Sequence, residues 1–224
     1  MAAGEGRRLR PLTERWAKPV LPVDGRPVVA TLLRELAGAD VREVVIVVGH
    51  LAEQVEELVG DGSAWGLDVR LARQPEPLGS ADAVRRAFAA GARPPLLVAA
   101  ADTVFRPGDP RRAADAWVAS GLSGGLGVRP GSGPGRTPVR VEEGRVVALG
   151  GEQPGGLTAA PLWFLSEGLA GSLADLPGPP YELAAGFRNA LERDTGIAAL
   201  DLGPTRDLTH PEDVVTENFP YLWT

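Results

Sequence analysis

Hydrophobic and polar positions fall into short blocks along the chain, and the period of each block predicts its element. Pro27 to Gly38 carries apolar residues at helical spacing, with Pro at its start and Gly at its end. Glu43 to Gly49 (EVVIVVG) is a nearly continuous apolar run, the mark of a strand buried on both faces. Leu51 to Leu58 predicts a helix, Leu67 to Ala72 a strand, and Ser80 to Ala90 an amphipathic helix. Pro95 to Ala101 (PLLVAAA) reads as a second buried strand and Asp109 to Ala119 as a helix. Alternation of this kind implies parallel βαβ units with helices on both faces. The second half is less regular. Arg129 to Thr137 (RPGSGPGRT) predicts a flexible, turn-rich loop. Val139 to Leu149, with Glu143-Gly144 between apolar runs, predicts a β-hairpin. Leu162 to Leu165 predicts a strand, Glu182 to Arg193 a helix, Ile197 to Leu202 a late strand and Pro211 to Asn218 a closing helix. No stretch reads as an interdomain linker, and no repeat of 20 to 50 residues is visible.

Composition narrows the chemistry. The 224 residues contain no cysteine, which excludes disulfides and thiolate catalysis, and only His50 and His210 could supply imidazole. A net charge of -6 argues against a general partner in nucleic acid or an anionic membrane. No apolar run has the length of a membrane span, and the N-terminus lacks the apolar segment of a secretory signal, so a cytoplasmic location is expected. Lys18 is the only lysine; of 23 basic residues the other 22 are arginine. Such replacement follows from a GC-rich genome, and the lysine that survives it points to a position where arginine is not equivalent.

The densest chemistry lies at the start. Ala2-Ala3-Gly4-Glu5-Gly6 is followed by Arg7, Arg8, Arg10, Arg15 and Lys18, five cations within twelve residues of an otherwise acidic protein. Glycines let backbone N–H groups approach an anion closely, so a Gly loop and a cation cluster fit a polyphosphate cradle. A dinucleotide fingerprint would need a third Gly where Leu9 stands, and a phosphate loop of the Gly-Lys-Ser/Thr kind is missing. The full spacing A-A-G-x-G-x-R-x-x-P-x-T, with Lys18-Pro19 five residues after the Thr, resembles the signature of the sugar-1-phosphate nucleotidylyltransferases. Gln74-Pro75-Glu76-Pro77-Leu78-Gly79-Ser80-Ala81 resembles the family's Q-x-x-x-L-G-T-A, Ala101-Asp102 its Gly-Asp, and Asp207-Leu208-Thr209-His210-Pro211-Glu212-Asp213 its D-[I/V]-x-T-P-E-D.

The resemblance implies a Rossmann-like α/β/α sandwich with a mostly parallel mixed sheet and a small β-hairpin acceptor region. It implies one domain, with residues 1–105 the nucleotide-binding half and 106–224 the acceptor-binding half. The implied reaction joins a nucleoside triphosphate to a sugar 1-phosphate and releases pyrophosphate. Arg8 and Lys18 would be catalytic, and Ala3, Gly4, Gly6, Gln74, Gly79 and Ser80 would bind the nucleotide. Asp102 and Asp207 would hold Mg²⁺. In the family the glutamine reads a pyrimidine edge, and an amide suits the imide edge of uracil or thymine, so UTP or dTTP is the expected donor. The acceptor half departs from the pattern. Glu152-Gln153-Pro154 stands where relatives have Glu-Lys-Pro, leaving Glu152 as the acceptor-binding candidate, and Thr158-Ala159-Ala160-Pro161 stands where they have Asn-Ala-Gly. A cytidylyltransferase for a non-sugar phosphate such as phosphocholine, and a nucleotide-binding regulatory protein without transfer, are the rival readings. Relatives also carry an apolar strand of about five residues, a common strand length, ahead of the A-A-G. Met1 is therefore expected to be internal to a slightly longer chain, and no β-helix or acyltransferase domain is expected after residue 224.

Overall fold

A computed structural model describes residues 1–132, 135–152 and 156–219. In chain order the elements are β1 (Pro22–Val23), β2 (Arg26–Pro27), α1 (Val28–Gly38), β3 (Glu43–Val48), α2 (Ala52–Val59), β4 (Asp68–Arg73), α3 (Ser80–Ala89), β5 (Leu96–Ala99), β6 (Thr103–Val104) and α4 (Asp109–Ser120). There follow β7 (Gly124–Pro130), β8 (Val139–Glu142), β9 (Arg145–Leu149), β10 (Leu157–Leu165), α5 (Glu167–Gly171), α6 (Leu183–Glu192), β11 (Ile197–Asp201), β12 (Arg206–Asp207) and α7 (Pro211–Asn218). The helices lie in two layers because the strands bury both faces. One apolar cluster packs α1, α2 and α4 against Ile46, Val48, Leu162, Phe164 and Leu200. The other packs α3, α5 and α6 against Val98, Leu126, Val128, Val146 and Ile197. On β10 alternate residues divide between these clusters, Leu162 and Phe164 to the first and Trp163 and Leu165 to the second.

The sheet is mixed. β3 and β4 run parallel, as do β7 and β11. The six-stranded part has the order β5-β10-β7-β11-β9-β8, and β10 runs antiparallel to both β5 and β7. Antiparallel pairings therefore predominate in that part, where the sequence implied a mostly parallel sheet. The expected hairpin is β8–β9, with Glu143 and Gly144 at positive φ in its turn. β7 was not expected at all. The sequence pattern assigns residues 124–128 no element and begins a loop at Arg129, yet the run GGLGVRP lies between β10 and β11. The missing side chains are what the packing uses: a Cβ on Gly124, Gly125 or Gly127 would lie within 2.6–2.8 Å of Leu169, Leu200 or Leu202.

β3 and β5 face each other across a slot. Its carboxyl end is closed by Met1 and Ala2: the Ala2 N–H donates to Val47 O (2.7 Å) and the Ala101 N–H to Met1 O (2.8 Å). The remainder is a cavity of about 540 Å³ between α1 and α3, lined mostly by aliphatic side chains of the two strands and helices. No helix among the described residues is long and apolar enough to cross a membrane.

Candidate active site

The Gly loop leaves the sheet at Ala3, beside the carboxyl ends of β3 and β4, where open α/β sheets bind ligands. Gly49 is bare because Ala3 O and Gln74 O would lie 2.7 and 3.0 Å from a Cβ there. Gly6 sits in the left-handed region (φ 61°) and starts a short 3₁₀ turn, Arg7–Leu9. The buried Thr13 hydroxyl donates to Gly6 O at 2.9 Å, which explains the Thr of the signature as a brace for the loop. His50 Nε2 lies 2.7 Å from Thr13 O; facing a carbonyl, that nitrogen must carry the hydrogen. His50 is thus a structural residue. Gln54, on α2, accepts from the Ala17 N–H (2.8 Å) and donates to Arg15 O (2.7 Å), fixing the backbone just ahead of Lys18. Gly4 has no protein atom within 4 Å of where a Cβ would be, so packing does not demand glycine there. Arg8 is exposed and hydrogen-bonds to none of the described residues; Gly135, in the loop after β7, lies beside its guanidinium.

Two cation–carboxylate pairs stand next to this loop. Lys18 Nζ meets Asp102 Oδ2 at 2.5 Å, with the lysine side chain 14% exposed. Arg129, near the end of β7, meets Asp207 Oδ1 at 3.4 Å with its side chain 7% exposed. Pairing of β6 with β12 puts Asp207 opposite Thr103, so Asp102 and Asp207 occupy neighbouring positions although 105 residues separate them (207 − 102). Burial pushes the Arg129 pKa down; Asp207 chiefly, and Asp102 more weakly, oppose that shift, so both carboxylates act on one guanidinium. No group of three or more His, Asp or Glu residues able to hold a metal occurs among the described residues. Two carboxylates are nevertheless the donor set suited to Mg²⁺ that also binds phosphates and water. Each has one oxygen outside its ion pair, Asp102 Oδ1 and Asp207 Oδ2.

The Gln74 segment reaches the same edge, the Gln74 N–H donating to Val48 O at 2.8 Å. Gln74 is buried, and its Nε2 donates to Gly79 O (3.0 Å) and Asp82 Oδ2 (2.8 Å). Both partners are acceptors, so the amide has only one workable orientation and offers Oε1 alone to a ligand. Burial pulls the Asp82 carboxyl up, but hydrogen bonds from Arg86 and Gln74 hold it below its ordinary range. Ser80 differs from its expected role. Its hydroxyl donates to Glu182 Oε2 (2.6 Å) and accepts from the Leu183 N–H (2.8 Å), so it ties the loop to α6. Gly79 has φ 103° with Tyr181 O 2.4 Å from a hypothetical Cβ, and Tyr181 bonds the backbone on either side of it. Gly79→Ala is expected to cost about 1–3 kcal/mol through strain alone. Calorimetry should show a lower melting temperature; an unchanged one would remove the constraint assigned to Gly79.

The structure therefore gathers Ala3, Gly4, Gly6, Lys18, Asp102, Asp207 and Gln74 at one edge of the sheet, with Arg8 on the adjoining loop. Glu152 is exposed in the loop before β10 and has no polar partner among the described residues; Gln153 and Pro154 lie outside them. Arg129 corrects the sequence reading. It was expected in a flexible loop and is instead a buried strand residue paired with Asp207. Alternation along GGLGVRP could have signalled it, had the glycines not masked the strand.

Comparison with known proteins adds four findings. The family model described as "Nucleotidyl transferase" matches residues 1–128. The chain is 36% identical over 178 residues to a CMP-5'-(3-aminopropyl)phosphonate synthase of Streptomyces rubellomurinus, covering 75% of this chain and 28% of that protein. It is 46% identical over 79 residues to an N-acetylmuramate alpha-1-phosphate uridylyltransferase of Neisseria meningitidis, covering 35% of this chain and 33% of that protein. The matched regions thus span a third or less of these relatives. In fold, the chain is similar to the inositol-1-phosphate CTP transferase of T. maritima, with TM-score 0.80, 19% identity, and 95% of this chain and 88% of that one covered.

Proposed function

This chain belongs to the nucleotidyl transferase family, and we propose that it transfers a nucleotidyl group from UTP or dTTP to a sugar 1-phosphate, releasing pyrophosphate. The observation that carries this reading is the convergence of the Gly4–Gly6 loop, the Lys18–Asp102 pair and Asp207 at one sheet edge. The attacking group is a phosphate oxygen, already ionised at pH 7, so no general base is required. It forms a bond to the α-phosphorus while the bond from that phosphorus to the α–β bridging oxygen breaks, and the electron pair leaves on pyrophosphate. No proton moves. The work is positioning and charge neutralisation. Backbone N–H groups of the Gly loop and Arg8 hold the triphosphate, and Lys18 neutralises charge at the reacting phosphate. Asp102 and Asp207 would hold Mg²⁺, which when bound offsets charge on the triphosphate.

A second reading has its own support. A relative matched over 75% of this chain is named as a CMP-phosphonate synthase, and its match reaches into the acceptor half. Gln74 does not separate the two. With both amide hydrogens on Gly79 and Asp82, its Oε1 can accept from the imide N–H of uracil or thymine, or from the amino group of cytosine. Pyrophosphate release decides. UTP, dTTP, CTP and GTP are each offered with glucose 1-phosphate, N-acetylmuramate 1-phosphate, phosphocholine and 3-aminopropylphosphonate. UTP or dTTP with a sugar phosphate is expected to exceed GTP by at least tenfold in kcat/KM, since a mismatched base forfeits ~1–3 kcal/mol per lost partner. Preference for CTP with the phosphonate or phosphocholine would establish the second reading. Release from no combination would leave a nucleotide-binding protein without transfer.

A further inference from the structure

Beside the carboxylate pair lie two buried polar atoms without partners. Arg129 on β7 and Thr158 on β10 are register partners in the antiparallel ladder, so their side chains emerge on the same face of the sheet. Arg129 is 6% exposed and Thr158 2%. Arg129 Nε and Thr158 Oγ1 are both buried and have no hydrogen-bond partner among the described residues. Among the described residues Arg129 makes one ion pair, to Asp207, and it is long at 3.4 Å. Orphaned buried donors are rare and costly, and two adjacent ones on one face call for a shared partner. A guanidinium N–H and a hydroxyl are both donors, so that partner is an acceptor of hydrogen bonds, and the positive charge makes it an anion.

We propose that Arg129 and Thr158 form the pocket for the acceptor's own anionic group, the phosphate or phosphonate whose oxygen attacks. The proposal rests on the transfer reading above and adds the residues that bind the acceptor. Placement carries it. Arg8, Lys18 and the Gly loop belong to the first half of the chain, while Arg129 and Thr158 belong to strands of the second half, with Asp207 in contact with Arg129. In-line displacement needs nucleophile and leaving pyrophosphate on opposite sides of the α-phosphorus. An anion on Arg129 and Thr158 would sit next to the Asp102–Asp207 pair.

The test uses the full chain with the best nucleotide and acceptor from the panel. Thr158→Val keeps the shape and removes the orphaned hydroxyl. Its acceptor KM is expected to rise about tenfold, the worth of one hydrogen bond to a charged group. Its nucleoside triphosphate KM should change less than twofold, and its melting temperature should hold or rise because a buried unsatisfied group is gone. Arg129→Lys should raise acceptor KM about tenfold or more. ³¹P NMR titration with inorganic phosphate gives a readout that needs no turnover: binding should weaken in both variants. Unchanged acceptor KM and phosphate binding in a folded Thr158→Val protein overturn the proposal, and so does a fall in melting temperature with both KM values raised alike. Absence of transfer by the wild-type chain would instead remove the reading on which it rests.

Discussion

Lys18→Arg is expected to lower kcat/KM at least a hundredfold, about 2.7 kcal/mol of transition-state stabilisation, while moving the melting temperature by no more than about 2 °C. The reasons are geometric. Lys18 Nζ reaches Asp102 as a point charge in a side chain only 14% exposed, and Lys18 Cβ packs beside Gly6, 3.6 Å from where that glycine's Cβ would be. Its backbone is held by Gln54 through Arg15 and Ala17. A guanidinium is longer, planar and forked; it would pair with both Asp102 oxygens and occupy the one left over. The oxygen a metal would need is then spent, and the compact charge aimed at the reacting phosphate is displaced. Stability depends little on the pair because the Asp102 side chain is 33% exposed and water screens it. Lys18→Met removes the charge altogether and should also lose turnover, and Asp102→Asn combined with it should lose more, because Asp102 would also hold the metal. Near-wild-type kinetics in Lys18→Arg, or a drop in melting temperature large enough to account for lost activity, would show Lys18 to be a structural ion-pair residue.

The site was legible where local chemistry and spacing suffice. Gly6 needs positive φ, Thr13 must reach its carbonyl, and Asp102 follows a buried strand; each of these leaves a mark in a few consecutive residues. The helices α1, α2, α3 and α4 and the strands β3 and β4 were legible for the same reason, since their periods are uninterrupted. What depends on partners distant in sequence was not. β7 has three glycines because Leu169, Leu200 and Leu202 press on it, and those neighbours come from α5 and β11 or just past it. With the strand hidden, Arg129 read as loop. Ser80 read as a ligand contact because nothing local shows that its hydroxyl would be claimed by Glu182 and Leu183, about a hundred residues on. Gln54 belongs to no motif, and its role appears only when Arg15 and Ala17 fold back onto α2.

Extending the chain at Met1 with five apolar, β-forming residues is expected to raise the melting temperature by about 6–12 °C. The slot between β3 and β5 motivates this. β3 pairs with β4 and β5 with β10 on their outer edges, and Met1 and Ala2 join them only at the carboxyl end. A strand of five residues could fill the cavity of about 540 Å³ and complete the ladders on both sides. Burying five aliphatic side chains yields roughly 10 kcal/mol, against about 7 kcal/mol for ordering their backbone, a net gain of about 3 kcal/mol. The amino terminus adds a second, pH-dependent part. The Met1 ammonium donates to Ala99 O at 2.8 Å at the slot, and burial lowers its pKa from 8.0 to about 6 despite the nearby Asp102 carboxylate. A folded-state pKa below the unfolded value means the unfolded chain holds more protons between pH 6 and 8. Stability therefore rises with pH across that window, by on the order of 3 kcal/mol, and the penalty is full below pH 6. A five-residue Gly/Ser extension converts the ammonium to an amide without filling the slot. It should flatten the pH 6–8 slope that this group contributes and do no more. The apolar extension should flatten the same slope and also raise stability at every pH. Equal melting temperatures for the two extended chains would show that the slot does not take a strand, and a slope that survives in both would assign the pH dependence to a group other than the amino terminus.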